Sequence, residues 1–176
     1  MTAGMKDFIT YVTQLKQQIF TEREIALYDS LDKLKQYNSP QYTELLMNKL
    51  YTQVLCRLPM EKWPEPLLRA FKKVNPVVYQ QMQGVDEFHV TGNFKDWEFW
   101  DRLPEIKIPI LVLGGMKDEM NPESLKKEGQ LLPEGRTYLC PKGSHMAMYD
   151  DQQNYFTNMI AFLKEVDNGS FTADKK

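Results

Sequence analysis

Ile108-Pro109-Ile110-Leu111-Val112-Leu113-Gly114-Gly115-Met116-Lys117-Asp118-Glu119-Met120-Asn121-Pro122 is the stretch that decides the fold of this chain. It opens with a continuous apolar run, rich in branched residues and closed by glycine. Such a run fits a strand buried on both faces, as in a parallel sheet. Asn121 offers a side-chain cap and Pro122 a first helical position, so the strand leads through a loop into a helix. Thr137-Tyr138-Leu139-Cys140 reads as a second short strand, and Tyr155, Phe156, Met159, Ile160, Phe162 and Leu163 mark a closing helix. Strand, loop, helix, strand, loop, helix is the order of an α/β layer.

Each strand ends in a loop with one side chain suited to acid–base chemistry. Asp118 follows the first strand by four residues, at the end where open α/β sheets build their sites. The second loop, Gly143-Ser144-His145-Met146-Ala147-Met148-Tyr149, carries one of only two histidines. A carboxylate can hold an imidazole in one tautomer and stabilise its protonated form. Loops at the ends of adjacent strands can bring such a pair within hydrogen-bond reach. Each residue alone also fits a solvated loop position; together they match the last two members of a Ser…Asp…His triad in chain order. The first member has no counterpart, because Gly-x-Ser-x-Gly occurs nowhere in the 176 residues. Ser144 precedes the histidine and stands on no nucleophile elbow, and Ser124 and Ser170 have no supporting context.

The first half of the chain reads as helical. Phe8, Ile9, Val12, Leu15 and Ile19 recur at helical spacing between about Lys6 and Phe20. Thr21-Glu22-Arg23-Glu24 is a capping box opening a second helix through Ile25, Leu27, Tyr28, Leu31 and Leu34. Ser39-Pro40 starts a third, with Leu45, Leu46, Leu50, Val54 and Leu55 on its apolar side. Pro59, Pro64 and Pro66 interrupt the chain before a fourth helix around Glu65–Val74. Glu87-Phe88-His89-Val90-Thr91-Gly92 alternates and reads as a short extended piece. Past Asp167 the polar tail is expected to be frayed.

Bulk composition narrows the classes. The chain is 42% hydrophobic and 26% charged with a net charge of -2, ordinary for a globular protein and without the basic excess of a nucleic-acid or anionic-membrane binder. No apolar run approaches the roughly 18 residues of a membrane span, and the first residues do not form a secretory signal. Cys56 and Cys140 match no metal or disulfide spacing, and both read as buried core residues. A reducing cytoplasm is the expected compartment. No cofactor and no metal is expected.

Residues from about Ser39 to Val166 resemble the C-terminal portion of proline iminopeptidases, serine aminopeptidases of the α/β-hydrolase fold. The resemblance rests on Cys56-Arg57-Leu58, Trp63-Pro64-Glu65-Pro66-Leu67, the run from Gln83 to Gly92, Lys95-Asp96-Trp97, and the Asp118 and His145 loops. Met1–Asn38 fits the start of the family's helical cap more loosely. The resemblance implies residues 1–84 as a helical cap region, 85–166 as the C-terminal α/β-hydrolase segment and 167–176 as a flexible tail. It implies Asp118 as the triad acid and His145 as the base. Glu87 and Glu119 match the acidic side chains that hold the substrate's free amino group, and an ammonium ion in a partly dry pocket requires such partners. Trp63, Trp97 and Trp100 read as packing between cap and core, with a wall for a proline ring as the alternative.

The expected fold is therefore α/β: the last two parallel strands of an α/β-hydrolase, with their helices, behind a helical cap region. Two strands make an incomplete sheet with open edges. The expected partners are a peptide with a free N-terminal proline and, at the exposed strand edge, a complementary N-terminal chain or a second copy. The expected function is the C-terminal portion of a hydrolase that releases N-terminal proline, lacking its own nucleophile. The alternative is a non-catalytic relic that serves as a binding or assembly module.

Overall fold

The structure, a computed structural model, describes residues 3–174. Its first part is a helical block. Helix α1 (Met5–Ile19) buries Met5, Phe8, Val12 and Leu15 along one stripe. Helix α2 (Glu22–Lys33) starts at the expected capping box: the Thr21 hydroxyl accepts from the Glu24 N–H, and the Glu24 carboxylate accepts from the Thr21 N–H at 2.9 Å. Both exchanges satisfy amides that the first helical turn leaves free.

The third helix departs from the expected α-helix. Ser39 caps α3 (Pro40–Thr43) as anticipated, but the chain then widens into a π-helical segment (Glu44–Tyr51) before α4 (Thr52–Val54). Leu45, Leu50 and Leu55 lie five apart and are all buried. Leu45 and Leu50 fall within the π segment, whose bonds run from i to i+5, and Leu55 follows α4.

The fourth helix, α5 (Glu65–Lys73), lies where expected. It is followed by an unanticipated one, α6 (Pro76–Met82), capped by the Asn75 side chain on the Val77 and Val78 N–H groups. The extended piece expected from Glu87 to Gly92 is a small antiparallel hairpin, β1 (Gly84–Asp86) with β2 (His89–Val90). The Asp86 carboxylate accepts the Phe88 N–H at 2.7 Å and makes the turn between them. Glu87 thus stands at a hairpin tip. Gly84 enters the hairpin at φ +119°, a conformation side chains with a Cβ rarely adopt.

The second part is the α/β layer. Strand β3 (Ile110–Gly115), helix α7 (Pro122–Leu131), strand β4 (Gly135–Cys140), helix α8 (Ala147–Asp150) and helix α9 (Gln152–Asp167) follow in order. β3 and β4 pair in parallel from Ile110 opposite Gly135 to Gly115 opposite Cys140. The Asn121 side chain caps α7 through the Glu123 N–H. Among the described residues, β3 has no other strand neighbour. This corrects the expected two-sided burial: Ile110 to Leu113 are only half-buried, because two strands offer too little sheet to cover both faces. Helix α9 contributes no fully buried residue, and Phe156, Ile160, Leu163 and Val166 are exposed along it.

The tail expected to be frayed is held as far as residue 174. Phe171 packs edge-on against Phe162, the Arg136 guanidinium donates to the Thr172 carbonyl at 2.7 Å, and the Thr137 N–H donates to the Asp174 carboxylate at 2.7 Å. Residues of β4 thus supply partners that a local reading of a polar tail cannot see. The last two residues of the expected tail and the first two of the expected cap region lie outside the described residues.

One core unites the two parts. Phe8, Val12, Tyr42, Leu50, Val54, Trp63 and Phe88 form its centre, and Met120, Met146 and Tyr149 pack against it from the Asp118 and His145 loops. Both loops therefore rest on the helical block. Cys56 and Cys140 are fully buried free thiols, as expected.

Candidate active site

The parallel register places the ends of β3 and β4 side by side, so the loops that follow them meet. They meet closely: a Cβ on Gly115 would collide with the Gly143 backbone. Glycine is required at this crossing. The Lys117 N–H also donates to the Gly143 carbonyl at 2.9 Å, which locks the two loops together.

Across this junction His145 Nδ1 lies 3.0 Å from Asp118 Oδ1. A carboxylate only accepts, so the imidazole donates from Nδ1 and leaves Nε2 for other work. Asp118 is buried and accepts two further backbone donors, the Met120 N–H at 2.8 Å and the Gly115 N–H at 3.4 Å. Its orientation is set by its own loop before the histidine arrives. His145 keeps 28% of its side chain exposed. Burial alone would push its pKa down. The Asp118 hydrogen bond and the charges of Glu119 and Asp118 outweigh that effect and push it up to about 9.

Glu119 points into the same site. It is almost completely buried, and its Oε1 lies 4.0 Å from His145 Nδ1. Its Oε2 has no hydrogen-bond partner. Burial holds its carboxyl well above the ordinary range, opposed by His145 and reinforced by Glu87, Asp118 and Asp86. A buried carboxyl with an unused oxygen is ready to accept a cationic donor.

Glu87 reaches the site from the helical block. It accepts hydrogen bonds from the Tyr79 hydroxyl at 2.6 Å and from the Tyr51 hydroxyl. It lines a cavity of about 280 Å³ together with Leu46, Met47, Tyr51, Phe71 and Tyr79. Burial and the Glu87 charge push both tyrosine hydroxyls far up, so they remain donors. A second cavity of about 200 Å³ opens beside Asp118 and His145, between Gly114, Leu125 and Tyr155.

Three of the four residues singled out in the sequence thus meet at the strand ends, and the fourth, Glu87, stands at the hairpin tip beside its own cavity. Asp118, His145 and Glu119 touch or nearly touch, while Glu87 acts on Glu119 through its charge. Sequence reasoning missed Tyr51 and Tyr79, the two residues that orient Glu87. Tyr79 sits on the unanticipated helix α6, and Tyr51 ends the π segment, so neither carried a local signal. The tryptophans lie outside the Glu87 cavity lining. Trp63 is buried, stacks on Phe71 and donates to the Leu58 carbonyl. Trp97 stacks on Phe99, and Lys127 lies over Trp100. Among the described residues, no group of three or more His, Cys, Asp or Glu is placed to hold a metal ion. No described helix is long and apolar enough to cross a membrane.

No family model matches the chain. Individual relatives do. It is 39% identical over 170 residues to a proline iminopeptidase of Chitinophaga pinensis, covering 97% of the chain and 57% of that protein. It is 37% identical over 173 residues to a proline iminopeptidase of Elizabethkingia meningoseptica, again covering 97% of the chain and 57% of the relative. Among solved structures, the proline iminopeptidase of Mycobacterium smegmatis superposes with a TM-score of 0.82 at 25% identity, over 96% of this chain and 56% of that one. VinJ superposes with a TM-score of 0.86 at 26% identity, over 94% and 55%. The chain spans a little more than half the length of the relatives it matches. By sequence and by fold the chain is similar to proline iminopeptidases, proteins of the α/β-hydrolase fold, over a little more than half of their length.

Proposed function

We propose that this chain is the acid–base and amine-recognition part of a serine aminopeptidase that releases N-terminal proline from peptides. The observation that carries the reading is the Asp118–His145 contact of 3.0 Å with the buried Glu119 beside it. In this reading His145 Nε2 takes the proton of a serine hydroxyl as it attacks the scissile carbonyl. The same nitrogen then returns a proton to the leaving amine. Asp118 holds the imidazole and stabilises its protonated form. Glu87 and Glu119 receive the substrate's cationic amino terminus. The unused oxygen of Glu119 supplies an acceptor in a partly dry site, where a charge-assisted bond is strong.

The serine and the donors that stabilise the oxyanion belong to sequence beyond the region shared with the relatives. We place their contribution in an N-terminal part of roughly 13–15 kDa, enough to complete one α/β domain, carried by the same polypeptide or by a separate one. Two features offer that part a surface to dock on. The open edge of β3 offers backbone groups to one more parallel strand. The apolar face of α9, with Phe156, Ile160, Leu163 and Val166, offers a surface to bury. The buried free thiols suit a reducing cytoplasm.

Fluorophosphonate labelling of the native preparation, read on a denaturing gel, tests the proposal. A label on a co-purifying second chain, or on a longer chain that includes this one, is expected. A label on the 176-residue chain would overturn the assignment of the nucleophile. No label on any band would favour the non-catalytic binding module.

A further inference from the structure

The His145 loop is fastened to the helical block by more than packing. The His145 N–H donates to the Val54 carbonyl at 2.9 Å and the Met146 N–H to the Leu55 carbonyl at 2.7 Å. The Ser144 hydroxyl donates to the same Leu55 carbonyl at 2.8 Å. Asp150, one turn further on, closes the ring. Its carboxylate accepts the Ser144 N–H at 3.1 Å, the Ser144 hydroxyl, and the Arg57 N–H at 2.8 Å. Ser144 is completely buried, as is Cys56 between the bonded residues. Four hydrogen bonds thus join residues 54–57 to the loop that carries the imidazole, and the Ser144–Asp150 contacts brace the loop itself.

We propose that residues 54–57, with Ser144 and Asp150 as positioning residues, form a strap that sets His145 against Asp118 and makes the base move with the cap. The strap deepens the peptidase reading and rests on it. It begins three residues after Tyr51, whose hydroxyl donates to Glu87. One short segment therefore positions both the proposed amine seat and the proposed base. The π segment ends at Tyr51, and the single turn of α4 (Thr52–Val54) carries the chain from it into the strap. A change in cap position reaches the imidazole through two backbone-to-backbone bonds, from the His145 and Met146 N–H groups to the Val54 and Leu55 carbonyls.

The histidine titration tests this without substrate or nucleophile. The chain has only two histidines, His89 and His145, so proton NMR follows each. The charged groups facing His145 are Asp118 and Glu119, both on the β3–α7 loop. Ser144→Ala removes the one hydroxyl proton shared between the Leu55 carbonyl and the Asp150 carboxylate and changes no charge. The expected result is a fall of about one pH unit in the His145 midpoint, because a looser loop weakens the Asp118 bond. Asp150→Asn should lower it further and speed exchange of the His145 and Met146 amides. His89 pairs with Asp32, away from the strap, so its resonances are told apart from those of His145. A His145 midpoint unchanged in a folded Ser144→Ala variant overturns the strap, and that variant alone decides if Asp150→Asn does not fold. The outcome is separate from the fluorophosphonate experiment. A preparation without any labelled chain removes the peptidase reading and leaves the strap standing, whereas an unmoved midpoint removes the strap alone.

Discussion

The carboxylate of Glu119 stands 4.0 Å from Nδ1 of His145 and is almost completely buried. Adjacent in sequence to Asp118, it has the opposite kind of environment. Asp118 accepts three hydrogen bonds, whereas Glu119 Oε2 accepts none. Two neighbouring carboxyls thus serve one imidazole in different ways, one as its direct partner and one as a buried carboxyl nearby.

Stability should fall as pH rises from mildly acidic to about 9. Glu119 has a folded-state pKa above its ordinary value of 4.5, so the folded chain binds that proton more tightly than the unfolded one. Ionising it above pH 4.5 costs stability. His145 is raised from 6.5 to about 9, so its contribution is complete below 6.5 and is lost as pH passes through about 9. Glu119→Gln removes the first effect and weakens the second. Thermal unfolding at pH 5, 7 and 9 should show a flatter profile for Glu119→Gln and a higher midpoint than the parent at pH 8. A steeper profile would contradict the burial argument.

Asp118→Asn keeps the shape of the loop and removes the carboxylate that His145 donates to. The His145 midpoint should drop by at least one pH unit from its raised value, which corresponds to about 1.4 kcal/mol or more of lost preference for the imidazolium. NMR titration of the two histidines measures it directly. In a complemented, active preparation the same change should reduce kcat far more than KM.

Leu50 is completely buried near the end of the π segment. Leu50→Ala should cost about 2–5 kcal/mol, as large-to-small core changes do. Urea denaturation with an unchanged slope would place the loss in the folded state. Thr21→Ala, which breaks the capping box on α2, should cost about 1 kcal/mol.

Ile160→Glu and Leu163→Glu lie on the exposed face of α9. In the chain alone each should change stability by no more than about 0.5 kcal/mol. Each should also abolish capture of the complementary chain in a pull-down. Capture unaffected by both changes would move the docking surface elsewhere.

The sequence by itself determined what depends on neighbouring residues. The apolar run before Gly114, the capping box at Thr21, the Ser39-Pro40 start and the Asn121 cap each act within a few positions, and each lies where the pattern put it. The Asp118–His145 pair was legible for the same reason, since strand-end loops on a parallel pair must meet. Only the tertiary structure decided which distant segments touch. The hydroxyls on Glu87 come from Tyr51 and Tyr79. The bonds that hold the His145 loop come from Val54, Leu55 and Arg57. The half-burial of β3 follows from its single strand neighbour. A hydrogen bond between residues tens of positions apart leaves no periodic trace in either segment, so packing alone makes it visible.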